Sequence, residues 1–183
     1  MNTETFIKRA KEIHGDKYDY SKVKCINYNS EVCIICKEHG EFWQTPLKHL
    51  SKHGCQICKE SHLEKDIRLF LEKHNITYVY QANKKNFKWL GKLTFDFYLP
   101  EYNIAIECQG EQHYKCVDFG FNDKKKSKIN FLLIKERDIR KKILCEKNNI
   151  NLIYYTSKHL KENDEFTSCE EIFNYLIEYG KIS

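Results

Sequence analysis

Apolar positions recur with two different periods along this chain, and the switches between them predict its elements. Within residues 3–13, Phe6, Ile7, Ala10 and Ile13 fall at helical spacing and Gly15 supplies a stop, which predicts an amphipathic helix. Short apolar runs at residues 22–26 and 32–36, and a third near 41–44, read as strands. The helical period returns in ESHLEKDIRLFLEKHNI, where Leu63, Ile67, Phe70 and Leu71 form one stripe. Ser61 stands there at the N-cap position and Glu64 at the third helical position, the arrangement of a capping box. Strands follow at about 77–80, 93–99 and 103–108, and the turn residues of 100–103 join the last two into a hairpin. A long helix at about 123–147, a buried strand INLIYYT and a final helix near 169–179 complete the pattern. Helix, three antiparallel strands, helix, strand, helix is an α/β sandwich order.

Two acids interrupt this apolar pattern. In FDFYLPEYNIAIECQGEQH, which runs from Phe95 to His113, Asp96 and Glu107 sit inside apolar runs, where a carboxylate is unfavourable unless a cation, a proton or hydrogen-bond donors compensate it. Alternation along a strand puts Phe95, Phe97 and Leu99 on one face and Asp96 and Tyr98 on the other. Ala105, Glu107 and Gln109 likewise share a face opposite Ile104, Ile106 and Cys108. A hairpin that brings the polar faces together makes Asp96 and Glu107 meet. Two such carboxylates with a backbone carbonyl near Cys108 are hard oxygen ligands suited to magnesium or manganese, which activate water and neutralise charge on a phosphodiester. The bland counterpart is a salt-bridged pair of sheet acids.

A second chemistry lies earlier in the chain. Cys36 and His39 form one C-x-x-H hook, and Cys55 and Cys58 answer with a C-x-x-C hook. Three thiolates and an imidazole are the tetrahedral set that structural zinc prefers, and Gly40 and Gly54 beside the hooks fit the tight turns of a knuckle. His49 and His53 lie between the hooks and compete with His39 for the fourth position, although neither completes a two-residue hook. Cys25 and Cys33 fall among strand residues without a partner at ligand spacing and read as buried thiols. A closed four-ligand site leaves no position for substrate, so this zinc would be architectural.

Composition narrows the setting. The chain has 183 residues, enough for a small stapled module at residues 1–59 and a larger domain at 60–183. With 31 Lys+Arg against 26 Asp+Glu the net charge is +5, and much of the positive charge is concentrated in Lys124, Lys125, Lys126, Lys128, Lys135, Arg137, Arg140, Lys141 and Lys142. That block is either a solvated helix face or a phosphate-contacting one. The chain has no run of about 18 apolar residues, and its first residues have no apolar signal core, so neither a membrane span nor secretion is expected. An intracellular, reducing location follows, in which nine cysteines are metal ligands or buried thiols rather than disulfides. Aromatic residues make up 14% of the chain, and most occupy core-facing positions, with Tyr98 and Tyr114 the exceptions.

Both segments resemble known families. The stretch from IHGDKYDYS through HGEF to GCQIC is similar, over about residues 5–58, to the zinc-finger-type module found in front of nuclease domains in phages, large DNA viruses and mobile elements. FDFYLPEYNIAIECQGEQH resembles the catalytic hairpin of the PD-(D/E)xK nuclease superfamily, in the branch related to very-short-patch-repair endonucleases, and the resemblance spans about residues 60–156. It implies a restriction-endonuclease-like αβββαβ core behind a small zinc-ribbon-like α+β module, acting as a magnesium- or manganese-dependent endonuclease on double-stranded DNA. Asp96 and Glu107 match its two motif acids, Gln109 the position usually held by Lys, and Glu64 the acid of the first helix. His113 matches a histidine after the glycine turn, and Asp138 with Lys141 a D-x-x-K on the following helix. The departure is Gln109, whose amide orients a water or a phosphate oxygen but carries no charge. His113 or Lys141 would then supply proton transfer or charge stabilisation, a choice left to geometry. For Asp138 and Lys141 the alternative is an i,i+3 surface ion pair. The rival functions are a catalytically inactive zinc-dependent DNA-binding protein, an RNA-directed counterpart and a structural zinc protein.

Overall fold

A computed structural model describes residues 1–117 and 123–179, which fall into two compact units, Met1–Glu60 and Ser61–Ser183. The fold is mixed α/β with one sheet in each unit. Among the described residues no helix is long and apolar enough to cross a membrane.

In the first unit α1 (Thr3–His14) is capped by the Asn2 side chain, which accepts from the Thr5 amide, and Gly15 ends it at φ 59°. The helix presses Phe6 and Ala10 onto a three-stranded antiparallel sheet ordered β1 (Tyr18–Asp19), β2 (Val32–Cys36), β3 (Gly40–Gln44). The strand expected at 22–26 does not form. The Asp19 carboxylate accepts the Ser21 amide and the Tyr20 carbonyl accepts the Val23 amide, so the chain turns where extension was expected. Tyr20, Val23 and Cys25 are nonetheless buried, because their apolar character reports core membership rather than extended geometry. A five-residue helix, α2 (Pro46–Leu50), capped by Thr45, is too short to register as a period. Gly54 is required by close approach: a Cβ there would stand 2.1 Å from the Tyr18 hydroxyl oxygen.

The second unit opens with α3 (His62–Lys73), and both halves of its capping box are present. Its sheet has the order β4 (Val79–Ala82), β5 (Phe95–Leu99), β6 (Ile104–Gln109), β7 (Asn151–Thr156). The first three strands are antiparallel, and β7 runs parallel to β6 from Ile104↔Asn151 to Gln109↔Thr156. Parallel pairing needs a crossover, which α4 (Lys124–Lys147) supplies, and α5 (Cys169–Glu178) follows β7. One face of the sheet buries Phe97, Leu99, Ile104, Ile106 and Ile153 together with Ile67 and Leu71 of α3 and Ile172 and Leu176 of α5. The opposite face carries Ala82, Phe95 and Ala105 with Cys145 of α4 and Ile150.

Phe95 therefore departs from the expected alternation, because it packs with Ala105 and not with Phe97 and Leu99. The cause is a local break in the pleat. Tyr80↔Phe97 and Ala82↔Phe95 are paired, but the intervening Gln81 has φ 51°, outside strand geometry, and the Asp96 side chain takes the Cys108 amide as its own hydrogen-bond donor.

Candidate metal centres

The first unit gathers Cys36, His39, Cys55 and Cys58 from the end of β2, the turn into β3 and the segment after α2, with their ligand atoms all within 4.8 Å of one another. Cys36 Sγ lies 3.6 Å from Cys58 Sγ, and His39 Nδ1 lies 3.6, 3.8 and 3.3 Å from the sulfurs of Cys36, Cys55 and Cys58. A tetrahedron with zinc–sulfur bonds of about 2.3 Å and a zinc–nitrogen bond of about 2.0 Å has edges of roughly 3.5–3.8 Å, so this set fits zinc. The thiols also ask for a cation. Burial opposes a thiolate at Cys36, but the amides of Glu38 and His39 and the His39 ring overcome it and bring the group to about 7. Burial and the neighbouring Cys36 push Cys58 up to about 12, since two thiolates this close repel without a metal between them. His49 is no ligand: it is fully buried between Tyr20 and Gln44, and hydrogen-bonds to both. His53 also lies outside the cluster and contacts the Ser51 carbonyl. Cys25 is a buried thiol, as is Cys33, which donates to Glu41.

The second unit has a cleft of about 350 Å³ whose walls include Glu64, Asp96, Glu107, Cys108, His113, Asp138 and Lys141. The β5–β6 ladder runs from Leu99↔Ile104 to Phe97↔Ile106, and Asp96 and Glu107 are the next residues beyond its end. Asp96 Oδ2 accepts the Cys108 amide at 2.8 Å. Glu107 is 4% exposed; its Oε2 meets Lys141 Nζ at 2.5 Å, while its Oε1 is buried without a hydrogen-bond partner. Burial raises the Glu107 carboxyl to about 8 even though Lys141 pulls it down, and Asp96 adds to the rise. Burial also pushes Asp96 up, partly offset by the Cys108 amide. Two acids therefore line one cleft, and one of them has a buried oxygen without a hydrogen-bond partner.

Other expected residues reach the same cleft by different routes. Glu64 keeps its capping bond to the Ser61 amide and uses Oε1 to accept from Tyr80 Oη at 3.1 Å and Gln81 Nε2 at 3.0 Å. His113 Nδ1 is 2.8 Å from Asp138 Oδ2, which fixes the ring and leaves Nε2 for other partners. Asp138 and Lys141 do not form the surface ion pair that their spacing allows, since each engages a residue from the β6 side, His113 and Glu107. Gln109 is not brought into this cleft. It lines an adjoining recess of about 300 Å³, where its Oε1 accepts from Tyr114 Oη at 3.2 Å. Tyr98 hydrogen-bonds to Asn103 away from the site. Sequence reasoning does not single out Gln81 or Lys92: Gln81 bonds to Glu64 and Asp96, and Lys92 lines the cleft with Arg137 of the basic block. A charge count finds Lys92 as it finds Arg137, but no periodicity finds Gln81.

Comparison with known proteins bears on the first unit. Residues 1–59 match a family described as a protein of unknown function (DUF723). Three proteins of Acanthamoeba polyphaga mimivirus, each named only as uncharacterized, are similar to part of the chain. One is 45% identical over 58 residues, covering 31% of this chain and 22% of the relative. Another is 49% identical over 57 residues, covering 30% of this chain and 22% of the relative. The third is 40% identical over 85 residues, 43% of this chain and 30% of the relative, a stretch longer than the first unit and so reaching into the second. The chain thus spans less than a third of the length of these curated relatives.

Proposed function

We propose that the second unit is a metal-dependent DNA endonuclease with the αβββαβ core of the PD-(D/E)xK superfamily, and that the first unit is a zinc-held module that binds double-stranded DNA. The observation that carries this reading is Glu107: buried, one oxygen on Lys141 and the other on nothing, beside Asp96 in a cleft lined with bases. An ion held by Asp96, Glu107 and the Cys108 carbonyl would supply an activated water and offset charge on the scissile phosphate.

The protein's own groups do the rest. Lys141 takes the place that Gln109 vacates, as a point charge delivered from α4 and not from the sheet. His113, held through Nδ1 by Asp138, presents Nε2 for proton transfer to the leaving oxygen. Lys92 and Arg137 hold the backbone, so affinity falls with salt. Glu64 supports Asp96 through the shared Gln81 amide.

Two observations favour the second reading, a zinc-dependent DNA-binding protein without catalysis: Gln109 is turned into the adjoining recess, and the Cys/His cluster is the better-formed metal set. Supercoiled plasmid incubated with magnesium, with manganese and with chelator separates the two. Nicked or linear product that needs a divalent ion and disappears in Glu107→Ala is expected. Intact plasmid under every condition, with DNA still retained by the protein, replaces the first reading with the second, and stronger competition by RNA than by duplex DNA reassigns the substrate.

A further inference from the structure

Gln81 lies in the middle of β4 with φ 51°, a left-handed conformation that a non-glycine residue adopts inside a strand only when its surroundings impose it. Its carbonyl is tied down by the Asn83 side-chain amide at 2.9 Å. The bend takes the Gln81 side chain out of the pleat and into the carboxylates. Nε2 lies 3.0 Å from Glu64 Oε1 and 3.3 Å from Asp96 Oδ1, and an amide nitrogen has two protons, one for each acid. Glu64 belongs to α3 and Asp96 to β5, so this amide joins acids from two separate elements. Their remaining oxygens are also fixed, Glu64 Oε2 by the Ser61 amide and Asp96 Oδ2 by the Cys108 amide. Glu107 Oε1, buried and without a donor, is the exception.

We infer that Gln81 is a positioning residue for a divalent-cation site, its amide holding Glu64 and Asp96 together against their mutual repulsion so that the acids are arranged before an ion arrives. This rests on the ion site proposed above. Groups that orient metal-binding carboxylates typically change metal affinity by about 10- to 100-fold when removed. The bent backbone is what aims the amide, which explains why a strained conformation is kept in a strand.

The test uses the full-length protein with its zinc site filled, and follows manganese uptake through the paramagnetic resonance signal of free Mn²⁺. Gln81→Leu keeps a side chain of comparable bulk and removes the donors; Gln81→Gly removes the donors and relieves the backbone. About a tenfold or greater rise in the manganese dissociation constant is expected in both, while the thermal midpoint rises in Gln81→Gly and does not in Gln81→Leu. A change below about threefold in either variant overturns the inference, as does an affinity lost in Gln81→Leu but retained in Gln81→Gly, which would assign the effect to the leucine side chain and not to the missing donors. Absence of manganese uptake by the unaltered protein overturns the ion site and this inference together. Plasmid left uncut by a protein that binds manganese in a Gln81-dependent way refutes the nuclease reading alone.

Discussion

Glu107 illustrates how a single side chain trades stability for a site. Burial holds its carboxyl at about 8, above the ordinary value of 4.5. The folded state therefore keeps a proton that the unfolded chain releases, and its contribution is fully present below about 4.5 and lost as pH rises through 8. Gln at this position carries no such penalty. Glu107→Gln is therefore expected to be at least as stable as the unaltered protein in urea at pH 8 with chelator present, while manganese uptake is lost; a clearly less stable variant would mean that the Lys141 contact outweighs burial. His49 works in the opposite direction. It is fully buried, with Nδ1 on Gln44 and Nε2 on Tyr20, and burial, aided by His14, lowers it to about 4 from 6.5. The unfolded chain then binds a proton that the folded state refuses, so stability falls as pH drops from about 6.5 to 4, by about 3 kcal/mol over that window. Urea unfolding of His49→Gln at pH 7 and pH 5 should show a markedly smaller difference than the unaltered protein; equal differences would exclude His49 as the source.

Among the elements, α3 is set by its own sequence and yet serves the site. Ser61 accepts the Glu64 amide and Glu64 accepts the Ser61 amide, so one acid both caps a helix and faces the cleft. Ser61→Ala should lower the unfolding free energy by about 1 kcal/mol, measured by denaturant titration, and no loss would mean that the Glu64 half of the box suffices. β5 shows the limit of reasoning from alternation. A bend at Gln81 and a side-chain bond at Asp96 shift Phe95 to the other face, and neither event has a signature in hydrophobic periodicity. α4 presents Asp138 and Lys141 inward together with Ile134 and Cys145, while Ile129, Leu132, Leu133, Ile139 and Ile143 remain exposed, so most of its apolar residues do not mark its buried face.

At the scale of the molecule, each unit has a core of its own, and that of the first is small. Its centre is Phe6, Tyr18, Tyr20, Ile34 and the ligand cysteines Cys36 and Cys55, so the metal set and the apolar core are one structure. Zinc bound there would close the chain between residues 36 and 58 and contribute directly to folding. Metal analysis should return one zinc per chain, and a strong chelator should abolish the unfolding transition of the first unit before that of the second; a first unit that survives chelation would show that its apolar core suffices alone. Cys55→Ala should reproduce the chelator effect and lower the zinc content.

Local chemistry wrote much of this protein into its sequence: the two hooks, the capping box of α3, the hairpin that carries Asp96 and Glu107, and the long helix ahead of β7. Each depends on residues close along the chain or on a repeating period, which is why each could be read. The partner of Lys141, the clamp of His113 by Asp138, the displacement of Gln109 toward Tyr114 and the bend at Gln81 join residues far apart in the chain or break a period. Only packing α4 and β4 around the hairpin decides them, because a long-range contact is chosen by which surfaces the whole unit buries together and not by any spacing within one segment.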